Sequence, residues 1–225
     1  MTNIAAAELD YTQRMNADIN WALREGGMFF QNESEVQKSL RRITSRLNNL
    51  GIDYAVVGGM ALFLHGFRRF TEDVDILVTR EGLAKIHEKL EGSGYRPPFA
   101  GSKNLRDTEN GVRIEFLIAG EFPGDGKPKP VGDGKPKPVA FPEPLNAAME
   151  RDGVRFLNAA SIIELKIASG LTGKGRAKDF GDAQELMILL NLSQDFAEQL
   201  SPYVRERYNE LWQNAQPDPE DEWQG

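Results

Sequence analysis

The stretch VVGGMALFLHGFRRFTEDVDILV, residues 56 to 78, constrains this chain most, because it joins a glycine pair to two acids inside an apolar run. Val74-Asp75-Ile76-Leu77-Val78 has the β-branched content and the length of a buried strand. Alternate side chains of a strand share a face, so Asp73 and Asp75 point one way and Val74, Ile76 and Val78 the other. At roughly 4 Å and an effective dielectric of about 20, two carboxylates repel by ~4 kcal/mol. A fold keeps such a pair when a divalent cation neutralises it or when water solvates it. Mg²⁺ suits the first case, since it takes oxygens from one or two carboxylates together with substrate phosphates. Gly58-Gly59 ends an expected strand over 54–57 and opens an expected helix over 60–65. A glycine turn feeding a helix presents backbone N–H groups to an anion. One supersecondary unit then supplies both a phosphate cradle and metal carboxylates.

A glycine pair, thirteen residues (60 to 72) and Asp-x-Asp on a strand resemble the signature of the nucleotidyltransferase superfamily of polymerase-beta type. That family carries a third carboxylate on a later strand. The matching position is Glu115, in the alternating run Val112 to Leu117, where the family more often has Asp. Arg69-Phe70-Thr71-Glu72 also looks like the small bacterial members. The resemblance implies an α/β (α+β) fold, a mixed sheet flanked by helices with a helical C-terminal region. It implies two Mg²⁺ ions on Asp73, Asp75 and Glu115, with Glu115 as base, and an NTP whose β- and γ-phosphates lie against Gly58 and Gly59. Arg69 matches the family pattern as a phosphate contact; the plain alternative is a surface pair with Glu72.

The 225 residues suffice for one sizeable core or one domain with a helical appendage. Zero cysteines exclude disulfides, iron–sulfur clusters and thiolate zinc sites, and fit the cytoplasm. No stretch approaches the roughly 20 apolar residues of a membrane span, and the N-terminus lacks the pattern of a secretion signal. The net charge of -7 leaves any RNA contact to local basic patches.

Along the chain, an amphipathic helix is expected over 4–24, with Leu9, Met15, Ile19 and Leu23 inward and Gly26-Gly27 as its stop. A second is expected over 34–50, capped by Ser34, with Val36, Leu40, Ile43, Leu47 and Leu50 inward. Its arginines Arg41, Arg42 and Arg46 read as a solvated face. A third, over 80–91, turns Leu83, Ile86 and Leu90 inward. His65 reads as a helix C-terminal cap, and Arg68 lies within reach of phosphates. GDGKPKPV occurs at 124–131 and again unchanged at 132–139, a loop carrying Lys127, Lys129, Lys135 and Lys137. It reads either as a cationic flap or as a tolerated loop duplication, the latter favoured for the second copy, since doubling a loop costs only about 0.6 kcal/mol.

In the C-terminal third, Ser161 is the expected cap of a helix that carries Lys166 inside an apolar run. After a glycine-rich turn, Asp179, Asp182, Leu186 and Leu189 fall on one stripe of a further helix. Inward acids require partners, and Lys166, Arg176 and Lys178 are the cations at hand. Lys-Ile-Ala followed by Arg-x-Lys-Asp-x-x-Asp resembles the C-terminal motifs of AbiEii-type nucleotidyltransferase toxins of type IV toxin–antitoxin systems. That resemblance implies nucleotide contacts from Lys166, Lys178, Asp179 and Asp182, an RNA (such as tRNA) or protein acceptor, and a cognate antitoxin as partner. The alternative for these residues is a salt-bridge network orienting the helices. The expected organisation is an N-terminal helix over 1–30, a catalytic domain over 31–145, and a helical region over 146–225 ending in an acidic, disordered tail. The rival to an enzyme is a silent nucleotide- or partner-binding module of the same fold.

Overall fold

The computed structural model describes residues 9–123 and 138–216. Most of both GDGKPKPV repeats with their four lysines, the start of the first expected helix and the acidic tail lie outside them.

The chain enters through helices α1 (Tyr11–Ala17) and α2 (Ile19–Phe30), not through one helix ending at Gly26-Gly27. Asp18 divides them, because its carboxylate accepts the Trp21 N–H at 3.0 Å and starts a new helix with a changed phase. Tyr11, Trp21 and Phe29 therefore face inward, whereas Leu9, Ile19 and Leu23, expected inside, are exposed. The glycine pair stays helical, because packing of Phe29 edge-on to Phe63 and Phe70 holds the helix past it.

Helix α3 (Glu35–Asn49) carries the capping box that Ser34 announced and buries Val36, Leu40, Ile43 and Leu47. Arg41 and Arg46 lie on the expected solvated face, but Arg42 departs from it and grips the buried Asp107 carboxylate with Nε at 2.9 Å and Nη2 at 2.7 Å. Strand β1 (Tyr54–Val56), helix α4 (Gly58–Leu64), strand β2 (Asp73–Val78) and helix α5 (Arg80–Leu90) follow in the expected order. Strands β3 (Tyr95–Arg96), β4 (Leu105–Asp107) and β5 (Arg113–Ile118) come next, then a short helix α6 (Pro144–Ala147).

The segment expected to be helical throughout begins instead with a hairpin, β6 (Ala148–Arg151) and β7 (Val154–Leu157). Helices α7 (Ala159–Thr172), α8 (Ala177–Leu189) and α9 (Pro202–Asn214) complete it, with a short 3-10 turn between the last two. Asn158, not Ser161, caps α7, accepting the Ser161 N–H at 2.9 Å. The strands form one mixed sheet of seven among the described residues, in the order β3-β4-β5-β2-β1-β7-β6. β2 runs antiparallel to β1 and parallel to β5, and β7 lies parallel to β1. The sheet flanked by helices is the expected α/β architecture. Its central strands are buried because helices cover both sides, with Val74, Ile76, Leu77 and Val78 all inside.

Candidate active site

Strand register builds the site. β2 and β5 pair in parallel with Asp73 opposite Arg113 and Asp75 opposite Glu115. Side chains two apart share a face. All four therefore stand on one side of the sheet, at the entry ends of two adjacent strands. Oxygens of Asp73, Asp75 and Glu115 all lie within 4.8 Å of one another, so the third acid expected from the sequence does meet the pair. Thr71 Oγ1 donates to Asp73 Oδ1 at 2.8 Å, and Arg113 Nη2 reaches Asp73 Oδ2 at 2.9 Å and Glu115 Oε1 at 3.0 Å. Asp75 takes the strain of this crowding. Burial first, then the charges of Asp73 and Glu115, push its carboxyl up to about 7.

The glycine pair makes room for these acids. Gly58 adopts φ +60, and a Cβ there would stand 1.9 Å from Asp75 Oδ2. A Cβ on Gly59 would stand 2.7 Å from the Thr71 Cβ, so this glycine lets α4 approach the loop that positions Asp73. The first N–H groups of α4 have no helical acceptor, and Gly58 and Gly59, which carry two of them, line the same cleft as the acids.

A cleft of about 630 Å³ holds the site, with the carboxylates and glycines on one wall and α7 and α8 on another. Among the described residues six cations line it: Arg69, Lys103, Arg113, Lys166, Arg176 and Lys178. Lys166 Nζ bonds Asp179 Oδ1 at 2.8 Å and Asp182 Oδ2 at 2.6 Å, and Arg176 Nε bonds Asp179 Oδ2 at 2.7 Å. Burial would raise Asp179, but the Lys166 charge, hydrogen bonds from Lys166 and Ser169, and the Arg176 charge outweigh it and hold the carboxyl below its usual range. Arg69 pairs with Asp182 at 2.7 Å, not with Glu72, which ties the loop before β2 to α8. Leu189, expected on the same inward stripe as these acids, is exposed, and Met187 is buried instead. Lys178 lines the cleft outside this cluster, and Arg68 points to solvent. His65 caps α4, and its ring bonds the Leu157 carbonyl at 2.9 Å.

The sequence reading passed over Arg113, Thr71, Ser169 and Lys103. Arg113 was within reach of the parity argument, since it stands two residues from Glu115 and must share its face. Thr71 and Lys103 arrive from loops, whose course no periodicity fixes.

No protein-family model matches the chain, and no curated protein matches it. Among solved structures it is similar to an antigenic nucleotidyltransferase-like protein from Paracoccidioides brasiliensis, at 19% identity over 80% of this chain and 91% of that one, with a TM-score of 0.46. It is also similar to ANT(2'')-Ia in complex with adenylyl-2''-tobramycin, at 12% identity over 78% and 97% of the two chains, with a TM-score of 0.48. The solution structure of the antibiotic-resistance factor ANT(2'')-Ia gives 14% identity over 77% and 93%, with a TM-score of 0.47.

Proposed function

We propose that this chain is a Mg²⁺-dependent nucleotidyltransferase, moving a nucleoside monophosphate from an NTP to a hydroxyl acceptor with release of pyrophosphate. The observation that carries this reading is the convergence of three carboxylates beside a glycine turn, in a cleft otherwise rich in cations. The donor set fits Mg²⁺: all three groups offer oxygen and their separation suits shared coordination, and the Asp75 carboxyl, raised by burial and then by its acidic neighbours, would be relieved by a divalent ion. Asp73, Asp75 and Glu115 would hold the metal, two ions in the fullest form of the site. When bound, Mg²⁺ supplies Lewis-acid activation of the α-phosphate and neutralises the departing pyrophosphate.

The chain's own residues do the remainder. Gly58 and Gly59 offer N–H groups to the β- and γ-phosphates, where any larger side chain would strike Asp75 or Thr71. Glu115 accepts the proton of the acceptor hydroxyl. Lys166, held by Asp179 and Asp182, presents a fixed positive charge to the triphosphate, and Arg69 and Lys178 add to it. The acceptor is RNA such as a tRNA end, a protein hydroxyl or a small molecule. The AbiEii-like spacing of Lys166, Lys178, Asp179 and Asp182 favours a toxin of a toxin–antitoxin pair, acting in the cytoplasm with an antitoxin as partner. No helix among the described residues is long and apolar enough to cross a membrane.

One observation favours a second reading. Arg113 already compensates the acids, as it would in a silent nucleotide- or partner-binding module. Incubating the protein with Mg²⁺, each α-labelled NTP, and total tRNA or lysate separates the two. Label on RNA or protein that Asp73→Ala and Asp75→Ala each abolish supports transfer. Full activity in those variants removes the enzyme reading, and absence of label with every acceptor leaves the binding module.

A further inference from the structure

We propose that Arg113 is a displaceable counter-ion of the carboxylate cluster, a positioning residue that bridges Asp73 and Glu115 without metal and releases them as a divalent cation takes their oxygens. The proposal rests on the reading of that cluster as a metal site. One guanidinium nitrogen contacts both acids, at 2.9 Å to Asp73 Oδ2 and 3.0 Å to Glu115 Oε1. Of the other cations lining the cleft, Lys166 pairs with two aspartates, Arg176 with Asp179 and Arg69 with Asp182, and Lys103 and Lys178 line it without bonding the three acids. Arg113 is thus the cation bonded to the cluster among the described residues.

A metal ion about 2.1 Å from those oxygens and a guanidinium bonded to them would set like charges within a few ångströms and draw on the same lone pairs, so each state weakens the other. Only the side chain has to move. The Arg113 backbone is fixed by pairing of β5 with both β2 and β4, while its side chain is 44% exposed at the cleft rim. Without the bridge, Asp73 and Glu115 would lose their ion pair whenever the metal is absent, leaving the cluster the longer-range charge of Lys166 and the Thr71 hydroxyl on Asp73. With it, metal loading competes with two ion pairs. Arg113 thereby lowers the affinity of the site for metal in exchange for a settled metal-free state.

Titrating the full chain with Mn²⁺, by calorimetry and by electron paramagnetic resonance of the free ion, tests this without turnover. Arg113→Gln is expected to bind Mn²⁺ more tightly than the wild type, on the order of tenfold, the worth of two half-exposed ion pairs. Arg113→Lys, which keeps the charge on a shorter side chain, is expected to fall between them. Metal-free Arg113→Gln should melt below the wild type, and the gap should close at saturating Mn²⁺; a purely structural role would leave it open. Affinity of Arg113→Gln equal to or weaker than wild type, with binding lost in Asp75→Asn, overturns the role of Arg113 and leaves the metal site standing. Absence of Mn²⁺ binding in all four proteins overturns both.

Discussion

Asp75 is the residue where fold and chemistry conflict most directly. Its folded pKa, about 7, lies above the value near 4 of an unfolded chain, so the native state holds an extra proton between them. Stability therefore falls as pH rises through that window, and the loss is complete above pH 7. In chelator, Asp75→Asn should flatten this slope and raise stability at pH 8 by about 1–3 kcal/mol, read from melting curves across pH. A slope unchanged by the substitution would place the crowding elsewhere. Gly58 is the counterpart, a position defined by what it lacks. Gly58→Ala combines a left-handed backbone with a Cβ driven into the Asp75 carboxylate, and should cost about 2 kcal/mol or more in denaturant unfolding. The acid pair was legible from the sequence because β alternation fixes which side chains share a face, and the glycine pair because a turn into a helix favours it; Glu115 was reached through the family resemblance. The partners of Arg69 and Arg42 were not, since Asp182 and Asp107 lie far along the chain and local pattern carries no information about them.

At the scale of elements, α7 and α8 meet through the Lys166 cluster. Asp179 is wholly buried and Asp182 nearly so, and the Lys166 ammonium binds both. Lys166→Met would leave two carboxylates in the interface with reduced compensation, an expected loss of about 3–5 kcal/mol in chemical denaturation. Arg176 still reaches Asp179 and Arg69 still reaches Asp182, so the variant should fold and permit measurement. If stability changes little, the network is not what joins these helices. Helix caps were readable where one residue had one role, as at Ser34. One was misplaced at Ser161, where Asn158 caps instead, and one was passed over at Asp18, which both receives the end of α1 and starts α2. That single carboxylate shifts the helical phase and turns Leu23 outward in favour of Trp21.

At the scale of the molecule, the hairpin β6–β7 makes the C-terminal third part of the sheet. Val56 pairs with Phe156, and Phe156, Leu157, Ile162 and Ile163 are buried in the same core as β1 and β2. A chain ending at residue 145 would leave β1 as an open edge with its apolar cover removed. Such a fragment should fail to give a dispersed amide NMR spectrum or a cooperative melt. A fragment that folds alone would separate the helical region from the sheet after all. The hairpin escaped the sequence reading because its strands are four residues each and β6 is mostly exposed, too short a pattern to declare a period.

The sequence by itself determined what local periodicity encodes: which acids share a strand face, where glycine must turn the chain, and the α/β order of the central elements. Tertiary structure alone decided which charges meet. Ion pairs such as Arg69 with Asp182 or Arg113 with Asp73 join residues 113 and 40 positions apart, and depend on strand order and helix docking. Electrostatic partners are chosen by distance in space, and only the closed sheet with its docked helices sets that distance.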